Sequence, residues 1–239
     1  MKLIINGDDF GLNESCSLAI AEAMQRGLID RTTMTANGEY FEKAAIIANF
    51  LCFTDRVGVH FNLTEGRPLT EEIAEIPDFV TEGRFNKKYL RDPRPLSEKE
   101  QAAVFGELSA QAERIKSMDI PLTHADSHHY IHTFVHIAPI VARVCAEQEI
   151  TSIRINRTFD SPKRPRITEG RASNSLWRER GFETTAHFGR LSDIRGIEPP
   201  DDLEIMVHPD YNKRRELIDR TGVEDGFPVG EPLSDIDFL

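Results

Sequence analysis

The sequence predicts an α/β fold with a mainly parallel sheet, open or closed into a single, possibly distorted (β/α) barrel. Three observations support this prediction. Short apolar segments typical of buried strands alternate along the chain with segments of helical periodicity. Capping residues stand where several of the helices should begin and end. Hydrophobic residues make up 39% of the 239 residues, which is enough for one substantial core.

The individual elements follow from these patterns. Strands are predicted at residues 3–5, 31–35, 57–61, 123–126, 150–155 and 203–207. Helices are predicted at about residues 14–26, 41–49, 97–117, 134–147 and 172–180. Asn13 can cap the first helix and Gly27 can end it, because glycine accepts the left-handed backbone that follows a helix. Ser97 and Glu100 have the spacing of a capping box.

The whole chain, residues 1–239, is predicted to form a single domain, because no repeat and no linker divides it. Residues 64–96 are rich in proline, glycine and charge, and they are longer than the usual connection in a compact domain. This segment is therefore predicted to be a long loop or lid within the domain. Residues 157–171 are predicted to form a second loop, since they are rich in proline and arginine.

Charge and hydropathy exclude two kinds of partner. The formal net charge is −11, which argues against neutralisation of nucleic-acid phosphates. No apolar run approaches the roughly 20 residues that span a bilayer, and no signal segment is evident at the start. Cys16, Cys52 and Cys145 have no metal-like or redox spacing and are predicted to be reduced thiols. The protein is thus expected to be cytoplasmic and to bind neither nucleic acid nor membrane.

Polar side chains stand at the ends of several predicted strands, where functional residues of parallel α/β folds gather. Asp8 and Asp9 follow the first strand, and His60 lies in the third. Residues 124–132 contain four of the eight histidines, and His208 ends the last strand. One carboxylate with two imidazoles is a common ligand set for a catalytic divalent ion. The pattern therefore favours a metal-dependent hydrolase.

Each of these residues also has a purely structural interpretation. An Asp-Asp pair often caps a helix or lies in a turn, and His60 alone is more often a satisfied core histidine. The histidine cluster could be the solvated start of a helix, and Arg154 could form an ordinary ion pair. Other chemistries are less well supported, because Ser127 lacks the glycines of a nucleophile elbow and the chain has no phosphate-binding glycine loop.

The motifs around these residues resemble those of the YdjC-like carbohydrate deacetylases, among which are chitooligosaccharide deacetylases. Residues 6–12 (NGDDFGL) resemble the family's NADDFGL opening, residues 57–63 (VGVHFNL) its GxHxxL strand, and residues 123–129 (THADSHH) its THxDSHH signature. Residues 154–155, 187–189 and 204–209 also match, so the resemblance extends over about residues 2–210. The chain departs from the family at Tyr130, where a third histidine is usual, and after Pro209.

The resemblance implies a barrel enzyme that removes an acetyl group from N-acetylated sugars such as chitooligosaccharides or diacetylchitobiose. It also implies three metal ligands and three catalytic residues, namely Asp9, His60 and His128 as ligands and Asp8, His208 and Arg154 for catalysis. Asp8 would be the general base that Arg154 orients, and His208 would be the acid or an electrostatic helper. The implied cofactor is a divalent metal ion, Mg²⁺ or alternatively Zn²⁺.

Other functions stay open at this point. The same scaffold could carry a metal-dependent hydrolase of another amide or ester, or a non-catalytic sugar-binding protein. A nuclease or phosphatase would also use aspartate and histidine around metals, but the motifs do not favour it. The expected partner is a small carbohydrate, and a homodimer is one option for the assembly.

Overall fold

The computed structural model describes residues 2–159, 168–194, 197–221 and 231–232 of the chain. The strands are β1 (Leu3–Phe10), β2 (Arg31–Met34), β3 (Val57–Phe61), β4 (Val80–Thr81), β5 (Arg84–Phe85), β6 (His124–Ser127), β7 (Ser152–Ile153), β8 (His187–Arg190), β9 (Leu203–Val207), β10 (Pro209–Tyr211), β11 (Leu217–Asp219) and β12 (Glu231–Pro232). The helices are α1 (Glu14–Gln25), α2 (Phe41–Phe50), α3 (Glu71–Ala74), α4 (Lys88–Arg91), α5 (Glu98–Lys116), α6 (Ala138–Glu147), α7 (Thr168–Glu179) and α8 (Leu191–Ile194). Short 3-10 helices lie at Thr54–Arg56 and His128–Thr133.

One seven-stranded sheet carries the fold, in the order β7-β6-β3-β2-β1-β9-β8. Each of its neighbouring strand pairs is parallel. The sheet curls into a half-barrel with helices around it, which confirms the predicted α/β class. Strands at the centre of such a sheet are covered on both sides, and all five residues of β3 and of β9 are accordingly buried.

The helix ends confirm the capping signals. The side chain of Asn13 accepts a hydrogen bond from the backbone of Cys16, and Gly27 has a φ of 68° just beyond α1. Ser97 and Glu100 form a complete capping box at the start of α5. These caps fix where the helices begin, and therefore how the loops before them reach the ends of the strands.

Several predicted boundaries need correction. The first strand does not end at residue 5 but continues through the two aspartates, because β1 pairs with β2 again at Phe10. The strand at residues 150–155 is reduced to β7, and Arg154 lies just after it. The helix predicted from residue 134 begins at Ala138 after a 3-10 turn, with Pro139 in its first turn. Strand β8, at one edge of the sheet, was not among the predicted strands.

Residues 64–96 are not a bare loop. They contain α3, the β4–β5 hairpin and α4, and they bury Ile73, Phe79 and Phe85 against the core. Glu107 of α5 is buried and accepts hydrogen bonds from the backbone of Leu69 and from Thr70. These contacts anchor the segment to α5, so it is a structured excursion; whether it acts as a lid stays a prediction.

The remaining expectations concern the second loop, the cysteines and the membrane. Residues 160–167 of the predicted loop lie outside the described part of the chain, and α7 already begins at Thr168. Cys16 and Cys145 are buried free thiols, while Cys52 is free and exposed. Within the described ranges, no helix is both long and apolar enough to cross a membrane.

Candidate functional site

A bulge in β1 brings both members of the aspartate pair to the same place. Neighbouring side chains of a regular strand point to opposite faces, but the pairing of β1 with β2 is irregular between Gly7 and Phe10. Asp9 has a φ of 75°, a left-handed backbone that aspartate adopts more readily than most residues. Both carboxyl groups are buried, and each has an oxygen within 4.8 Å of a ring nitrogen of His60.

Asp9, His60 and His128 meet at one point. Oδ1 of Asp9 lies 3.3 Å from Nε2 of His60 and 3.0 Å from Nδ1 of His128. At this point Asp9 Oδ1 and His60 Nε2 are buried polar atoms that have no hydrogen-bond partner, while Nε2 of His128 faces Glu65 on the far side of its ring. Buried polar groups without partners are rare, and a divalent cation would satisfy a carboxylate oxygen and imidazole nitrogens together. The donor set therefore fits a metal ion.

A second carboxylate orients the ring of His60. Asp126 Oδ1 lies 2.6 Å from Nδ1 of His60, and the Thr33 hydroxyl donates to Asp126 Oδ2. A carboxylate on the far ring nitrogen is the usual outer partner of a metal-binding histidine. Burial disfavours the charged imidazole, but the Asp126 and Asp9 carboxylates raise the pKa of His60 to about 10. This arrangement leaves Nε2 directed toward Asp9.

His128 owes its position to the abrupt end of β6. The two residues that follow it, His129 and Tyr130, have left-handed φ values of 54° and 58°. The Nε2 atom of His128 lies 3.5 Å from Oε2 of Glu65, in the segment after β3. Burial disfavours the charged ring of His128, but the Asp9 carboxylate outweighs this effect and raises the pKa of His128 to about 8. The ring is thus held between an inner and an outer carboxylate.

The buried guanidinium of Arg154 contacts three carboxylates. It donates to both oxygens of Asp8 at 2.6 and 2.7 Å and to Glu204 at 2.7 Å. Its Nη1 also lies 2.7 Å from Oδ2 of Asp126. Burial alone would raise the pKa of Asp8, but the charge and hydrogen bonds of Arg154 lower it below its usual range. Asp8 is therefore held as a carboxylate in one orientation.

His208 approaches the same centre from the end of β9. Its Nε2 lies 3.9 Å from Oδ2 of Asp9, and its Nδ1 hydrogen-bonds to the hydroxyl of Thr221 at 2.7 Å. The backbone N–H of His208 donates to Asp219. These two partners belong to β11 and the residues after it, so the C-terminal strands fix the ring.

The structure brings all six predicted site residues to one region, but only one histidine of the 124–132 cluster contacts Asp9. His124 is buried elsewhere and pairs with Asn6, while His132 pairs with Ser127 and the backbone of Arg154. His129 lies beside His128 without reaching Asp9. The motif therefore mixes one candidate ligand with structural histidines.

Several contributing residues were not predicted, among them Asp126, Glu204 and Arg220. Glu204 is an acid in the otherwise apolar strand β9, and Asp126 is a buried acid of β6; an acid within a predicted buried strand is a usable sequence signal. Arg220 donates to Oδ2 of Asp9 at 3.2 Å from the residues that follow β11. Nothing local in the sequence distinguishes it from the arginines around it.

A cleft of about 600 Å³ opens beside the site. Its walls include His128, Glu65 and Arg220, together with the amide side chains of Asn37 and Asn62. Amide, carboxylate and guanidinium groups bind hydroxyl groups by hydrogen bonds. The cleft can therefore accept a polar, hydroxyl-rich molecule next to Asp9.

Comparisons with known proteins identify the family of the chain. Chitooligosaccharide deacetylases of Salmonella paratyphi B, Salmonella typhimurium and Salmonella typhi are each 35% identical over 219 residues, covering 87% of this chain and 81% of theirs. A crystal structure from Enterococcus faecalis V583, whose name refers to cellobiose-phosphate cleavage, has the same fold. Its TM-score is 0.70 at 22% identity, over 89% of this chain and 82% of that one. A family model described as YdjC-like protein matches residues 2–229, and the chain therefore belongs to the YdjC-like family.

Proposed function

We propose that the protein is a metal-dependent deacetylase that hydrolyses the acetamido group of N-acetylated sugars such as chitooligosaccharides or diacetylchitobiose. The observation that carries the proposal is the buried meeting point of Asp9 Oδ1, His60 Nε2 and His128 Nδ1 beside a polar cleft, where Asp9 Oδ1 and His60 Nε2 have no hydrogen-bond partner. The names of the Salmonella relatives give the substrate class.

Asp9, His60 and His128 would hold the cation. Carboxylate oxygen suits Mg²⁺ and imidazole suits Zn²⁺, so we propose Mg²⁺ with Zn²⁺ as the alternative. When bound, such an ion supplies polarisation of the acetyl carbonyl and a water of lowered pKa. The role of Asp126 would be to keep the His60 ring in place, since it occupies Nδ1.

The chain's own residues would move the protons. Asp8 accepts a proton from the water that adds to the acetyl carbon, and Arg154 keeps its carboxylate ionised and oriented. The carbon–nitrogen bond then breaks, and His208 donates a proton to the departing nitrogen. The products are acetate and the free amino sugar. Thr221 on Nδ1 leaves Nε2 of His208 directed toward Asp9.

The proposal predicts loss of metal binding in His60→Ala and in His128→Ala. Each change removes a proposed ligand nitrogen from the buried site. Loss of an outer partner of a metal ligand lowers the metal affinity by up to about 100-fold, so loss of the ligand itself should lower it by more than that. Metal content after dialysis and metal titration measure this. His136→Ala removes a histidine outside the cluster and should bind metal as the wild type does. Equal metal content in all three variants would contradict the ligand assignment.

Acetate release tests the function itself. Purified protein is incubated with diacetylchitobiose and with its phosphate, with metal and with a chelator. Acetate is expected only when metal is present. Sugar binding without acetate release, from protein that demonstrably holds metal, would identify a non-catalytic sugar-binding protein instead. Acetate release from other amides or esters alone would identify a different hydrolase.

A further inference from the structure

The strand pair β10–β11 carries a residue that contacts the proposed metal ligand from the side of the cleft. Arg220 follows β11, and its Nη2 donates to Oδ2 of Asp9 at 3.2 Å. The side chain of Arg220 is 35% exposed, whereas that of Asp9 is 1% exposed. Arg220 therefore links a buried carboxylate to the edge of the cleft.

The two oxygens of Asp9 have different surroundings. Oδ2 accepts the hydrogen bond of Arg220 and lies 3.9 Å from His208. Oδ1 has no hydrogen-bond partner and lies closest to the ring nitrogens of His60 and His128. Rotation of the carboxylate would exchange these roles, so whichever group holds Oδ2 also decides which oxygen is free for a cation.

We infer that Arg220 is a positioning residue: it holds Asp9 by Oδ2 and thereby directs Oδ1 toward His60 and His128. The inference rests on the proposed function, since it takes Asp9 as a metal ligand. It also gives the C-terminal strands a role in the site, because the backbone N–H of Arg220 donates to the carbonyl of His208 at 2.9 Å. One short segment would thus orient both Asp9 and His208.

Arg220 is itself held in place. Its Nη1 lies 3.7 Å from Oδ2 of Asp210, and Asp210 accepts a hydrogen bond from the hydroxyl of Ser15 at the start of α1. The carboxylate of Asp210 also offsets part of the positive charge of Arg220. This matters because an unpaired guanidinium near a bound cation would repel it, whereas Arg220 donates through Nη2 to Asp9 and turns Nη1 toward Asp210, which fixes the direction of its planar group.

Positioning and repulsion predict opposite results for Arg220→Ala, so a binding measurement separates them. Zn²⁺ alone is titrated into the full-length protein against a chromophoric chelator, without any sugar. We expect Arg220→Ala to bind Zn²⁺ about 10–100-fold more weakly, the usual effect of losing an outer partner of a ligand. Arg220→Lys keeps the charge but cannot face Asp9 and Asp210 with two separate nitrogens, and it should recover only part of the affinity.

The matched control is Arg214→Ala, which removes the same charge from an exposed position in the same segment. It should bind Zn²⁺ as the wild type does. If Arg220→Ala binds Zn²⁺ as tightly as Arg214→Ala or more tightly, the positioning role is wrong while the deacetylase proposal stands. If the wild type itself binds no Zn²⁺ and no Mg²⁺, the proposed function is what fails.

Discussion

Asp8→Asn is expected to lower the rate of acetate release by about 10²–10⁴-fold, the usual contribution of a positioned proton acceptor. An amide cannot take the proton of the attacking water, yet its oxygen can still accept a hydrogen bond from Arg154. Asp8 makes no contact with His128, and Asp9 keeps its own partners, so the metal affinity should be retained. Steady-state rates and metal content on the same preparation measure both quantities.

Asp92→Asn serves as the control for Asp8→Asn, because it removes a carboxylate from an exposed position outside the site. Its rate should equal that of the wild type. A rate for Asp8→Asn within about threefold of the wild type, with metal bound, would contradict the assignment of Asp8 as the base. The proton would then have to pass to another group of the site.

Arg154→Met is expected to lower the free energy of unfolding by about 3–5 kcal/mol, because it leaves buried carboxylates without their common partner. Glu204 keeps Arg31, whose Nη2 lies 2.8 Å away, and Asp126 keeps His60 at 2.6 Å, but Asp8 loses both hydrogen bonds to its guanidinium partner. For a domain of this size the loss corresponds to a fall in the melting temperature of roughly 6–20 °C. Thermal and denaturant unfolding measure it.

The control for Arg154→Met is Arg26→Met, which breaks an exposed pair with Glu22 one helical turn away. Such pairs contribute about 0–1 kcal/mol, so little change is expected. The pKa of Asp8 is lowered in the fold, so its ion pair stabilises fully above the unfolded value of 3.8 and is lost only as the pH falls through the folded value. The Asp8 contribution should thus persist at neutral pH. Equal stability of the two variants there would show that Arg154 does not hold the network together.

The fold could largely be predicted because its signals are local. The apolar runs at β3 and β9 and the caps Asn13 and Ser97 depend on residues a few positions apart. Where pairing decides the structure, prediction was weaker. His187–Arg190 has only four residues and one buried aromatic, and it becomes β8 because β9 offers it an edge.

The residues of the candidate site could be predicted from the sequence, but their geometry could not. The aspartates and histidines stand at strand ends, and parallel pairing must bring such ends together. The sequence does not contain the bulge that directs both Asp8 and Asp9 inward, because a bulge depends on the register with β2. Arg220 could not be predicted either, since its contact with Asp9 joins residues 211 positions apart.

The left-handed backbone of Asp9 restricts what can stand at this position, whatever its chemistry. A φ of 75° is readily accessible to glycine, asparagine and aspartate, and a residue branched at Cβ would be strained there. Asparagine is therefore the replacement that removes the charge and spares β1, while valine would disturb Asp8 as well. Even a descendant that had lost hydrolysis would be expected to avoid residues branched at Cβ at this position.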